Sequence, residues 1–122
     1  MPAYRTHTRS GVPGPWLDIT FRWRGATLLV LGILDTGADL TQVPESVAQQ
    51  LRLRPTTYLE FTNADGSRTR SRMYAVDVEF NGLTLSACEV IGSQLPVALI
   101  GRNVLNQFVA EFDGPALRYS LR

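Results

Sequence analysis

Within Leu34-Asp35-Thr36-Gly37-Ala38-Asp39, three adjacent residues have the types that chemistry requires. Asp35 brings a carboxylate that can take or give a proton, and Thr36 brings a hydroxyl that can donate or accept. Gly37 permits a tight turn or the close approach of another chain. The apolar run just before them, Leu28-Leu29-Val30-Leu31-Gly32-Ile33, reads as a buried strand. Asp35 therefore falls where the chain leaves a dry sheet, the place for an aspartate held rigidly at the base of a cleft. Other chemistries have fewer parts to work with. His7 is the single histidine and Cys88 the single cysteine, so the usual zinc site and an intrachain disulfide are both excluded. No metal or cofactor is expected.

The elements that must position Asp35 come from a chain of 122 residues, enough for one domain with a modest core. A hydrophobic fraction of 44% is that of a folded globular protein. The net charge of +1 gives no general reason to bind nucleic acid or an anionic membrane. No apolar stretch approaches a membrane span and no signal-like segment follows Met1, so a soluble, cytoplasmic protein is expected.

Residues 1–14 are rich in Thr, Ser, Gly, Pro and Arg without periodicity, and read as a flexible arm unless a partner pins it. The domain proper is expected over 15–122. Trp16 to Trp23 alternates as a half-buried strand, Arg24-Gly25 turns, and Ala26 to Leu34 leads to Asp35. Pro44 can open a turn or two of helix over Glu45 to Leu51. Thr56 to Phe61 and Arg70 to Phe80 alternate around a tip at Thr62 to Ser67, where Asp65-Gly66 is a strong hairpin signal. Arg68, Arg70 and Arg72, at alternate positions, suggest one solvated strand face. Asn81-Gly82 makes the next turn into Leu83 to Ile91, and Pro96 to Ile100 is a short apolar strand. Helical spacing of Val104, Leu105 and Phe108 predicts a helix over Arg102 to Phe108. A hairpin from Val109 to Leu121 turns at Asp113-Gly114-Pro115. The fold class is all-β: a small, mostly antiparallel closed barrel with one short helix in its C-terminal half.

Leu34 to Asp39 and, about sixty residues later, Ala98-Leu99-Ile100-Gly101-Arg102-Asn103-Val104-Leu105 share a plan: an apolar strand, a polar junction, then apolar residues. With a projecting hairpin between them, they resemble the retroviral-type (retropepsin-like) aspartic proteases, in order and spacing from about Pro15 to Phe112. The final hairpin extends past the short viral C-terminus and is more similar to cellular, including bacterial, members. The resemblance implies the acid-protease barrel with a flap hairpin and an aspartic endopeptidase acting on protein or peptide. Peptide hydrolysis by this route uses two carboxylates sharing one proton, because like charges about 3 Å apart cannot both ionise. With one Asp-Thr-Gly per chain, the resemblance implies a homodimer.

Carried over, Asp35 is the catalytic acid and base, Thr36 bonds across the two-fold axis, and Gly37 leaves room for substrate backbone. Ala38 and Asp39 would bind peptide main chain, with Arg102 pairing Asp39 and Gly101 opening the helix as structural support. Thr62, Asn63 and Ala64 belong to the flap, here polar where viral flaps are glycine-rich. Ile33, Gln42, Phe61, Val97 and Leu99 would line side-chain pockets, with apolar residues preferred near the cut. A second reading keeps the fold without efficient cleavage: a dimerisation or peptide-binding module.

Overall fold

The computed structural model describes residues 1–122. It contains β1 (Trp16–Trp23), β2 (Ala26–Leu34), β3 (Thr41–Pro44), α1 (Glu45–Gln50), β4 (Thr57–Thr62) and β5 (Arg68–Phe80). These are followed by β6 (Leu83–Ser93), β7 (Ala98–Ile100), α2 (Arg102–Leu105), β8 (Ala110–Asp113) and β9 (Arg118–Leu121). The strand order β1-β2-β7-β3-β6-β5, with β1 also pairing β5, closes a six-strand barrel. β4 is bonded only to β5, so that pair leaves the barrel as a ribbon. Two ladders, β2–β7 and β3–β6, are parallel, which the intervening elements between their strands permit and a hairpin would not.

Local chemistry accounts for the turns. Arg24 and Gly25 have φ of 47° and 82°, and Asn81 and Gly82 have 49° and 77°, the paired positive φ of a type I′ hairpin. At the ribbon tip Gly66 donates to the Asn63 carbonyl (2.9 Å) and Asn63 to the Ser67 carbonyl (2.8 Å). With Gly66 at φ 84°, this is a three-residue loop ending in a left-handed bulge position.

The core inside the barrel takes Leu17, Ile19 and Phe21 from β1, Val76, Val78 and Phe80 from β5, and Val43, Ala98 and Ile100 from the strands around the Asp35 loop. β2 differs from a strand buried on both faces. Val30 and Leu34 are buried, whereas Leu28, Leu31 and Ile33 are half-buried and Leu29 is 70% exposed. Only one face of this barrel strand meets the core, and an apolar run does not reveal which face that is. The second helix is also shorter than its spacing suggests. After Leu105 the chain makes i to i+3 bonds, Gln107 to Val104 (3.0 Å) and Phe108 to Leu105 (3.1 Å), which tighten the coil and end it.

β8 and β9 form a separate two-stranded sheet. The N-terminal segment lies against it: Tyr4 donates to the Leu117 carbonyl (2.8 Å) and Tyr119 to that of Pro2 (3.0 Å). Tyr119 is 1% exposed and its hydroxyl accepts from Asn81 Nδ2 at 2.9 Å, which ties the hairpin to the barrel. No helix is long and apolar enough to cross a membrane.

Candidate active site

Asp35 follows directly on β2 and its N–H donates to the Ile100 carbonyl of β7 at 2.9 Å, which extends the β2–β7 ladder by one residue. The chain then turns. The Asp35 carbonyl accepts from Ala38 (3.3 Å), and its carboxylate Oδ1 accepts from the Gly37 N–H (2.9 Å). One carboxylate oxygen is thus fixed by its own loop. The Thr36 hydroxyl makes no hydrogen bond within the chain, and Thr36 and Gly37 are exposed.

A second loop clamps the first. The Arg102 N–H donates to the Ala38 carbonyl (2.8 Å) and the Asn103 N–H to the Asp39 carbonyl (3.2 Å). The Arg102 side chain reaches back the other way, donating from Nη1 to the Thr36 carbonyl (2.8 Å) and from Nη2 to the Asp39 carboxylate. The Arg102–Asp39 pair is exposed rather than buried: 83% of the Asp39 side chain is open to solvent. An exposed pair contributes little stability, about 0–1 kcal/mol, so its effect here is to set loop geometry. Gly101 is required by contact. A Cβ there would lie 2.6 Å from the Leu40 carbonyl carbon and 2.9 Å from the Ala38 oxygen.

Two further residues, Thr41 and Asn103, position the loop without a role that residue type and spacing reveal. Thr41 is a polar side chain at 0% exposure. Its hydroxyl donates to Asn103 Oδ1 (2.9 Å) and accepts from the Gly101 N–H (3.1 Å), while its N–H also donates to Asn103 Oδ1 (2.8 Å). Asn103 Nδ2 donates to the Glu89 carbonyl on β6 (2.9 Å). Thr41 and Asn103 therefore lock the Asp35 loop to α2 and to the barrel wall. The signal in the sequence is slight: a threonine six residues past Asp35, flanked by Leu40 and Gln42, and an asparagine directly after Arg102.

The residues expected to line pockets divide into two groups. Ile33, Leu99 and Gln42 stand in register on β2, β7 and β3, and Gln42 is in turn in register with Ile91 on β6. This row runs from beside Asp35 toward the ribbon. Val97 is half-buried on the same alternation as Leu99, while Ala98 and Ile100 point into the core. Gln42 and Phe61, with Asn63 from the tip, border a groove of about 1000 Å³ between the β4–β5 ribbon and α1. The Asp35 loop and Val97 do not border it, nor do Thr62 and Ala64. Glu45, which borders the groove, accepts through Oε2 from the hydroxyl of the buried Tyr74 at 2.8 Å. Burial, then the bond to Glu45, holds the Tyr74 phenol above its ordinary titration range, so it remains a donor.

The chain now compares with known proteins as follows. The family described as "gag-polyprotein putative aspartyl protease" matches residues 27–107. No curated protein matches the chain. Among solved structures, a retropepsin-like aspartic protease from Rickettsia conorii is similar, with TM-score 0.61 and 18% identity over 91% of this chain and 82% of that one. The protease of Simian Foamy Virus (mac) aligns with TM-score 0.58 and 20% identity, covering 75% of this chain and 91% of its own. EIAV protease complexed with an inhibitor aligns with TM-score 0.59 and 19% identity over 77% and 86%. At these identities the structures establish the fold. The family match spans well over half the residues, including both clamped loops, and on that ground the chain belongs to the retropepsin-like aspartic protease family.

Proposed function

We propose that the protein is an aspartic endopeptidase that works as a homodimer, each copy supplying one Asp35. The observation that carries this reading is the Asp35-Thr36-Gly37 loop itself, held by Ile100, Arg102 and the Thr41–Asn103 lock yet open on its outer side. One carboxylate cannot run the reaction alone, since it must be base toward water and acid toward the scissile carbonyl together. Two Asp35 residues on a two-fold axis share one proton. The ionised member takes a proton from the attacking water, and the protonated member donates to the carbonyl oxygen. Collapse of the tetrahedral intermediate then returns a proton to the leaving amine. The Thr36 hydroxyl, free within the chain, is the group that reaches the partner's loop.

The β4–β5 ribbon serves as the flap. It covers an extended peptide and bonds its main chain as an added strand, with Thr62, Asn63 and Ala64 at the tip. Ala38 and Asp39 hold the peptide main chain on the other side. Ile33, Val97 and Leu99 favour apolar side chains next to the cut. The protease unit is residues 15–122, with 1–14 as an arm laid on the terminal hairpin.

Cleavage of a denatured protein or a peptide library at pH 4–6 tests the reading. Activity should disappear in Asp35→Ala and Asp35→Asn and be blocked by a pepstatin-type inhibitor. Cleavage that persists in Asp35→Ala would overturn it.

A further inference from the structure

The groove between the ribbon and α1 is polar: three of its 15 bordering residues are hydrophobic. Its charged groups are Glu45, Arg70 and Arg72. Glu45 already accepts from Tyr74, and the charged form of Arg72 is favoured by the Tyr74 phenol and then by the Glu45 carboxylate. Arg70 is different. Its guanidinium carbon lies over the Tyr58 ring, 4.2 Å from the centroid, and, like Arg72, it takes part in none of the four ion pairs of the chain. Its cross-strand neighbour Glu60 does not come within ion-pair distance. The ring contact holds the guanidinium in the groove, its side-chain N–H donors make no hydrogen bond within the chain, and such a group is suited to a carboxylate. Arg68 and Arg72 flank Arg70 at alternate positions of β5, and among the groove's charged groups the two arginines, Arg70 and Arg72, outnumber Glu45.

We propose that this groove is a specificity subsite for an acidic side chain of the substrate, held by Arg70 with Gln42 at its floor. The proposal rests on the endopeptidase reading and adds to it the class of peptide taken. The position of that side chain follows from the row of strands. Gln42 stands two strands from Ile33, a separation of about 10 Å at the usual strand spacing. An extended peptide covers that distance in about three residues. In a two-fold dimer the groove occurs twice, so an acidic residue is favoured about three positions to either side of the cut.

The test uses the full chain and peptides of one core sequence carrying Glu, Gln, Leu or Lys at positions two to four on each side. Cleavage is read as kcat/KM, and equilibrium binding by fluorescence anisotropy at pH 6–7, where a peptide Glu is ionised. Glu should exceed Lys by about tenfold or more at one of these positions. The preference should invert in Arg70→Glu and collapse in Arg70→Gln, with the Gln peptide changed less than about threefold in both. Indifference to charge, or a preference for Leu at every tested position, in either readout would overturn the subsite while leaving the protease intact. If no peptide is cleaved, the endopeptidase reading falls, and the binding series alone still decides whether Arg70 selects acidic peptides.

Discussion

Thr41 and Asn103 carry more of the site's geometry than their size suggests. Asn103 Oδ1 accepts from both the N–H and the hydroxyl of a fully buried Thr41. Asn103→Ala leaves both donors without that partner, and such a loss costs about 1–3 kcal/mol. Thermal unfolding should register it as a clear drop in Tm, whereas Gln107→Ala, which removes an exposed bond one turn later, should change Tm little. Cys88 illustrates the opposite kind of residue. Burial, then the charge of Glu89, pushes its thiol from 9.0 up to about 11. The neutral thiol is therefore the favoured folded form, and at pH 8 the thiolate fraction falls about 100-fold below that of an unperturbed thiol. Alkylation at pH 8 should be correspondingly slow in the native protein and become fast in denaturant. A reactive native thiol would contradict the packing of β6.

The junctions between elements decide where Asp35 stands. Gly101 joins β7 to α2 with its Cα facing the carbonyls of Ala38 and Leu40. These are backbone atoms of a clamped loop and cannot swing aside as a side chain would. Gly101→Ala should cost about 3 kcal/mol through overpacking, a fall in Tm of roughly 10–15 °C for a chain of this size. Catalysis should fall further than stability accounts for, since the displaced loop is the one bearing Asp35. The comparison to make is kcat at a temperature where the variant remains folded. The ends of β1 and β2 and the positions of three hairpin turns were legible from alternation and from Arg24-Gly25, Asp65-Gly66 and Asn81-Gly82, because these signals act within a few residues. The exposed outer face of β2 and the early end of α2 were not, because barrel closure and an i to i+3 finish depend on distant contacts or small differences in local geometry.

For the molecule as a whole, the proposed two-chain dyad makes activity a property of assembly. Specific activity should rise with protein concentration and approach a second-order dependence on chain when dimers are scarce. A dilution series read by initial rate, with sedimentation in parallel, checks this. Mixing equal amounts of wild-type and Asp35→Asn chains and allowing exchange should leave about one quarter of dimers with two carboxylates, by random pairing. Activity that simply adds, with no loss on mixing, would show that each chain works alone.

The sequence by itself determined that Asp35 follows an apolar strand, that Thr36 and Gly37 accompany it, and that a second strand-to-helix segment carries Gly101 and Arg102. Those features are local, written in residue type and spacing. Tertiary structure alone decided that Thr41 and Asn103, 62 residues apart, share one oxygen. It also decided that the Arg102–Asp39 pair faces solvent and that Arg70 stands unpaired in a groove with Gln42 and Glu45. The reason is physical. A hydrogen bond or a charge compensation between distant residues depends on which strands the closed barrel sets side by side, and alternation along one strand carries no record of its neighbour.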